Sequence, residues 1–141
     1  LKGVVIPEGY SHSYYVYPIR YFSEEWGITR NTFVSAMTAE GFPLGKGYQK
    51  PIYLLPMYKT KKVYNQTNYP FSLVENPNQE YREGICSVTE RMYNQELLIA
   101  DICREPFTEQ IVGQFLESIE KIWNKRGALH EYEEKDRLSG S

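Results

Sequence analysis

The order of its sequence patterns places this 141-residue chain in the α+β class. Residues 12–22 alternate in the way a half-buried strand does, and residues 96–103 form a compact apolar run typical of a buried strand. Residues 30–40 and 109–125 repeat their apolar side chains at helical spacing. We therefore expect a small, mostly antiparallel sheet with helices packed on one face and a long C-terminal helix.

The composition excludes several classes of protein. A hydrophobic content of 41% and a charged content of 24% are near the globular norm, so the chain should bury a core of its own. Its net charge of -2 argues against a nucleic-acid interface, which is usually basic. No apolar run approaches the roughly 18 residues that a membrane span requires.

The cysteines and histidines predict neither a metal site nor a catalytic triad. Cys86 and Cys103 lack the spacing of a zinc site, and we expect them to be reduced, buried thiols in a cytoplasmic protein. The two histidines, His12 and His130, lie at opposite ends of the chain. We therefore expect no metal ion.

The first predicted strand, 12–22, is rich in tyrosine. One of its faces carries Tyr15, Tyr17, Ile19 and Tyr21. Because Pro18 has no amide proton to donate, the strand should lie at an edge or contain a bulge. The preceding residues, 1–11, contain a second, short edge-strand candidate at 4–6.

The first predicted helix, 30–40, has a clear beginning and a clear end. Thr29 is a typical N-cap, and Gly41 is a typical C-terminal stop. Between these ends, Phe33, Val34 and Met37 form an apolar stripe at helical spacing. We interpret Arg30 most simply as an early helix residue.

Residues 41–58, GFPLGKGYQKPIYLLPMY, form the most distinctive stretch. Their three glycines and three prolines predict several sharp turns rather than a long helix or a central strand. The stretch remains apolar and carries three tyrosines, so it is not a solvated linker. A rigid, tyrosine-lined loop suits the binding of a ligand or a partner surface. The alternative is a well-packed loop whose tyrosine hydroxyls face water.

The next stretch predicts little regular structure. The basic run 59–62 suggests a solvated helix end or loop. Residues 63–79 suggest an irregular surface excursion. Within it, Asn65–Thr67 matches the glycosylation pattern by chance. Residues 84–95 predict a short helix. Ser87 followed by Glu90 three residues later fits a capping box at its start.

The last predicted helix, 109–125, begins after Thr108, and Gly127 is its natural stop. Residues 128–141 are charged and show no periodicity, which predicts a disordered tail. The chain should thus consist of one folded domain, 1–127, followed by this tail.

Four stretches taken together resemble a known family. They are SYYVYPIRY, TRNTFVSAMTAEGFPLGKGY, KPIYLLPMY and ELLIADICREPFTEQIVGQFLESIEKIW. In this order and spacing they are similar to the C-terminal small domain of DegT/StrS-type sugar aminotransferases, pyridoxal-phosphate enzymes of the aspartate-aminotransferase fold class. The likeness covers residues 1–127. Gly47 and Tyr53 stand where the family often has histidines.

The resemblance implies which domain of the enzyme carries out which function. An N-terminal domain of the same protein would bind pyridoxal phosphate and carry the catalytic lysine, so this chain alone is expected to be inactive. The whole enzyme would be a cytoplasmic homodimer. It would transfer an amino group from glutamate or glutamine to a keto sugar, a nucleotide-sugar or a keto-cyclitol.

The resemblance points to the tyrosine-rich loop as the substrate-binding part of this chain. Tyr48 and Tyr53 would form hydrogen bonds to the sugar. Lys50 could meet a phosphate or carboxylate, or it could be an ordinary surface lysine. Arg20 could bind a substrate carboxylate or simply end its strand. We predict no catalytic, cofactor-binding or metal-binding residue in this chain.

Two other functions fit the same residues. The chain could be a stand-alone module that binds a carbohydrate or a protein through the tyrosine loop without catalysis. It could also be a purely structural dimerisation domain. Sugar binding that is lost on Tyr48→Ala would favour the binding module, and self-association without a ligand would favour the dimerisation domain.

Overall fold

The computed structural model describes residues 1–64, 67–74, 76 and 79–139, and it confirms the predicted α+β class. Its sheet is antiparallel, with the order β1-β3-β2. The strands are β1 (Tyr17–Arg20), β2 (Gly45–Lys46) and β3 (Leu97–Ala100). The α-helices are α1 (Ser23–Trp26), α2 (Arg30–Ala39), α3 (Pro56–Thr60), α4 (Ser87–Arg91) and α5 (Glu109–Ser139).

The core lies between one face of this sheet and the helices α2 and α5. In the register of β1 and β3, Ile19 lies opposite Leu98 and Tyr17 lies opposite Ala100, so these four side chains share a face. The most deeply buried large side chains are Tyr21, Phe33, Met37 and Leu98. Phe115 and Ile122 of α5 close the cluster from the helix side.

Both predicted strands are real but shorter than predicted. β1 pairs with β3 only over Tyr17–Arg20, and Tyr15, just before it, is 77% exposed. As predicted, Pro18 lies in an edge strand. The edge strand expected at 4–6 is not formed. Instead, Lys2 makes a single antiparallel bridge to Arg20.

The ends of α2 are those that the sequence predicts. The Thr29 side chain accepts a hydrogen bond from the backbone amide of Thr32 at 3.2 Å, as an N-cap does. Gly41 follows the helix with φ +93°, the left-handed conformation that favours glycine at a helix end. This helix could therefore be located from its sequence alone.

The prediction that residues after 127 form a loose tail is wrong, because α5 continues to Ser139. Gly127 lies within the helix, where it costs about 1 kcal/mol relative to alanine but does not break the helix. Leu129 packs against the core. One turn further on, the Glu133 carboxylate accepts hydrogen bonds from the amide and hydroxyl of Thr29 and from the hydroxyl of Thr32.

The excursion at 63–79 is irregular where the structure describes it. It contains a 3-10 turn, Phe71–Leu73, and its Phe71 ring contacts the rings of Tyr58 and Tyr81. Asn65 and residue 66 of the glycosylation-like motif lie outside the described residues. In the described part of the chain, no helix is long and apolar enough to cross a membrane.

Candidate functional site

The tyrosine-rich loop is folded by its own prolines and glycines. Pro51 precedes a 3-10 turn, Ile52–Leu54, and Pro56 is the first residue of α3, where a missing amide proton costs nothing. Within that turn the Leu54 side chain is 6% exposed and anchors the loop. The loop thus has a defined shape, as its composition predicts.

Gly47 attaches this loop to β3. Its amide donates a hydrogen bond of 2.8 Å to the carbonyl of Leu97. Its φ is +69°, and a Cβ at this position would lie 2.8 Å from Cδ2 of the Tyr93 ring. Only glycine therefore allows the loop to pass so close to Tyr93.

A polar cleft of about 300 Å³ lies beside this loop. One wall comes from the loop, and the other comes from α4, the residues before it and the π-helical turn Met92–Glu96 that follows it. Turns of this kind are uncommon and frequently occur at functional sites. The lining residues are Lys50, Pro51, Leu54, Glu83, Glu90, Tyr93 and Asn94.

Glu90 joins the two walls. Its Oε1 accepts a hydrogen bond of 2.6 Å from the Tyr53 hydroxyl, and both of its carboxylate oxygens lie 2.9 Å from the amide of Gly84. These hydrogen bonds, that of Tyr53 first, lower the pKa of Glu90. Burial, followed by the bond to Glu90, raises the pKa of Tyr53. At neutral pH the pair is a neutral phenol donating to a carboxylate.

The capping box predicted at the start of this helix is not formed. Ser87 is the first residue of α4 rather than its cap, and the cap position is held by Cys86, whose side chain makes no capping hydrogen bond. Glu90 uses its carboxylate on Tyr53 and on the amide of Gly84 instead. The shorter of these contacts, 2.6 Å, is to Tyr53, which is distant in sequence.

Arg30 supports the wall formed by the π-helical turn. Its guanidinium donates to the carbonyls of Tyr93 at 2.9 Å, Leu97 at 3.1 Å and Asn94 at 2.6 Å. Burial lowers the pKa of this side chain. The interpretation of Arg30 as an early helix residue was therefore incomplete.

The predicted substrate-binding residues occupy three different environments. Lys50 lines the cleft and, within the described part of the chain, has no carboxylate within salt-bridge distance. Tyr53 is half-buried, and its hydroxyl is engaged by Glu90. Tyr48 is 54% exposed and lies outside the lining of the cleft. Their binding roles stay predictions.

Sequence reasoning missed the polar residues of the opposite wall, Glu83, Tyr93 and Asn94, and the part that Glu90 plays there. No local signal distinguishes a π-helical turn from an ordinary helix in MYNQE. The charge of Glu90 was visible, but its spacing from Ser87 favoured a capping interpretation.

Arg20 is not free to bind a substrate carboxylate. Its Nε lies 2.6 Å from Oε2 of Glu96, whose Oε1 lies 2.8 Å from Nε of Arg91. The Arg20 guanidinium also lies 4.7 Å from the centre of the Phe22 ring. Hydrogen bonding from Arg20 is the main cause that lowers the pKa of Glu96, against the effect of burial.

The two cysteines differ from the prediction. Cys86 and Cys103 are both exposed free thiols rather than buried hydrophobes, because each lies in a segment that flanks an element rather than inside one. Among residues 1–64, 67–74, 76 and 79–139, no group of three or more His, Cys, Asp or Glu residues could hold a metal ion.

Comparisons of the chain with protein-family models, with curated proteins and with solved structures found no match. The resemblance to the sugar aminotransferases therefore depends on the four sequence stretches given above. The chemistry of the cleft is therefore the evidence on its function.

Proposed function

We propose that this chain is the C-terminal small domain of a pyridoxal-phosphate-dependent aminotransferase that makes an amino sugar or amino-cyclitol. The cleft beside the tyrosine-rich loop is the part that faces the sugar or nucleotide-sugar substrate. The observation that carries this proposal is the position of Lys50. The tyrosine-rich loop borders a polar cleft, and Lys50 of this loop lines the cleft.

The chemistry of the cleft suits a polyhydroxylated ligand. A sugar hydroxyl both donates and accepts hydrogen bonds, so a sugar site needs both kinds of partner. Lys50 and the amide of Asn94 supply donors, while the carboxylates of Glu83 and Glu90 supply acceptors. Tyr48, exposed on the same loop, adds a hydroxyl that can reach a ligand extending beyond the cleft.

The residues present do not fit pyridoxal phosphate. The lining of the cleft has one lysine, Lys50, so a Schiff base between this lysine and the cofactor would leave no cationic side chain in the lining to bind the phosphate group. The cofactor, which would supply the amino-transfer chemistry, is assigned to the N-terminal domain of the same protein. This chain binds and orients the substrate, in a homodimeric cytoplasmic enzyme.

Saturation-transfer NMR with a uridine-diphosphate sugar tests the substrate-binding role. The chain should show saturable binding that weakens on Tyr48→Ala and on Lys50→Gln, whereas Lys125→Gln, on α5, should bind normally. A stand-alone binding module would give the same result, so competition between free and nucleotide-linked sugars is needed to separate the two candidates. A second assay supplies pyridoxal phosphate, glutamate and a keto sugar. Formation of an amino sugar by the chain alone would overturn the proposal, as would the absence of sugar binding.

A stand-alone carbohydrate-binding module is the second candidate. It is favoured by the fact that both walls of the described cleft come from this chain. Such a module would bind a free oligosaccharide as tightly as a nucleotide-linked sugar. The aminotransferase domain should prefer the nucleotide-linked form, so competition between the two ligands separates these candidates.

A further inference from the structure

Arg30 does not line the cleft, yet it contacts the main chain of the residues that do. Two of its three acceptors are the carbonyls of Tyr93 and Asn94, which lie 63 and 64 residues further along the chain. Few side chains can satisfy several carbonyls at once. A guanidinium does so because its five N–H groups form a rigid planar fork.

These carbonyls need an external donor because of the turn that contains them. The π-helical turn Met92–Glu96 closes with the bond from the Leu97 amide to the Met92 carbonyl. The chain then continues into β3, so the later carbonyls of the turn have no helical amide to accept from. Arg30 supplies the missing donors and thereby stabilises a turn that is seldom stable by itself.

The third acceptor extends this support to the opposite wall. The Leu97 carbonyl accepts from Arg30 at 3.1 Å and also from the Gly47 amide at 2.8 Å. Gly47 directly precedes Tyr48 in the tyrosine-rich loop and lies against the ring of Tyr93. One guanidinium is thus bonded directly to one wall of the cleft and, through one shared carbonyl, to the other.

We infer that Arg30 is the positioning residue of the cleft: its guanidinium sets the distance between the loop bearing Tyr48 and Lys50 and the wall formed by Tyr93 and Asn94. The inference rests on the proposed function, because it assigns Arg30 a part in sugar binding without contact to the sugar. Charge alone does not suffice for this role. A lysine carries the charge but cannot reach three carbonyls in a planar fork.

The test compares Arg30→Lys, Arg30→Gln and Arg30→Ala with wild type. Arg104→Gln is the matched control, since it removes a guanidinium that pairs with Asp101 at the surface, away from the lining of the cleft. The affinity for a uridine-diphosphate sugar should fall roughly ten- to a hundredfold in all three Arg30 variants, because small displacements of positioning groups have effects of this size.

Chemical rescue separates positioning from mere folding. Millimolar guanidinium ion should restore sugar affinity to Arg30→Ala and leave Arg30→Lys unchanged, with both variants folded at the assay temperature. In labelled protein, the amide resonances of Gly47, Tyr48 and Asn94 should shift in each Arg30 variant and return with guanidinium only in Arg30→Ala. If Arg30→Gln unfolds, the Lys and Ala variants still decide the matter.

Wild-type affinity in folded Arg30→Lys would overturn the inference, as would unchanged resonances on both walls. If the wild-type chain binds no sugar at all, the proposed function fails. In that case, shifts of the Gly47 and Asn94 amide resonances in the Arg30 variants still show whether Arg30 positions the walls of the cleft.

Discussion

The hydroxyl of Tyr53 donates a 2.6 Å hydrogen bond to the carboxylate of Glu90, 37 residues further along the chain. This bond crosses from the tyrosine-rich loop to α4 and links the two walls of the candidate site. The Tyr53 hydroxyl, which was expected to form a hydrogen bond to a sugar, is thus engaged by a residue of the chain itself. The phenol orients a carboxylate that lines the cleft.

Replacing Tyr53 by phenylalanine should raise the pKa of Glu90 toward its ordinary value. The reason is that the Tyr53 hydrogen bond is the largest cause of the lowered pKa. Carbon-detected NMR titration of the glutamate carboxyls measures the change directly. Tyr48→Phe is the control, because its hydroxyl lies outside the lining of the cleft. An unchanged Glu90 titration in Tyr53→Phe would show that the bond is not formed in solution.

Two glycine substitutions should have opposite effects on stability. Gly47→Ala should lower the free energy of unfolding by about 2 kcal/mol, since it forces alanine into the left-handed region and against the ring of Tyr93. Gly127→Ala should raise it by up to about 1 kcal/mol, because Gly127 lies inside α5 with open space around it. Urea denaturation of both variants measures the two changes.

Equal changes in the free energy of unfolding of the two glycine variants would contradict the conformations assigned to Gly47 and Gly127. Stabilisation by Gly47→Ala would mean that the loop does not pass close to Tyr93. Destabilisation by Gly127→Ala would mean that α5 ends before Ser139, as the sequence pattern predicts.

Glu96 should make stability depend on pH in the acid range. Hydrogen bonding from Arg20 is the main cause that lowers the pKa of Glu96. The contribution of Glu96 to the free energy of unfolding is therefore complete above the ordinary carboxyl pKa of about 4.3, and it is lost as the pH falls through the pKa of the folded state. Glu96→Gln should cost about 1–2 kcal/mol near neutral pH, because hydrogen bonds to a charged group are lost. Denaturation at several pH values should show the two proteins converging under strongly acid conditions.

The matched variant for Glu96 is Glu80→Gln, since Glu80 forms a longer, exposed pair with Arg82 at 3.6 Å. It should leave stability nearly unchanged at every pH. A constant difference between wild type and Glu96→Gln down to strongly acid pH would show that the charge of Glu96 is not what stabilises the fold.

The last three turns of α5 should contribute to stability through Glu133. Burial acts to raise the pKa of Glu133, but the hydrogen bonds from Thr29 and Thr32 outweigh it and lower the pKa. Glu133→Ala should cost about 1 kcal/mol, because the carboxylate caps the N-terminus of α2. Thermal unfolding measures this loss. Glu131→Ala, an exposed change two residues earlier, should have no comparable effect, and equal losses in both would exclude the cap.

The fold class and the first helix could be predicted because their signals are local. Thr29, Gly41 and the apolar run that contains β3 satisfy backbone groups or bury side chains within a few residues of themselves. Such signals report whether a residue is capped or buried. They do not report which distant residue it meets.

The cleft could be predicted only in part for the same reason. The amino-acid sequence alone determined the class of the fold, the caps of α2 and the stiff loop that carries Tyr48, Lys50 and Tyr53. Tertiary structure alone decided that Glu90 meets Tyr53, that Arg30 supports the turn at Tyr93, and that α5 passes through Gly127. Each of these depends on contacts between residues far apart in the chain, whose free energy outweighs the local preference for a cap, a regular helix or a stop.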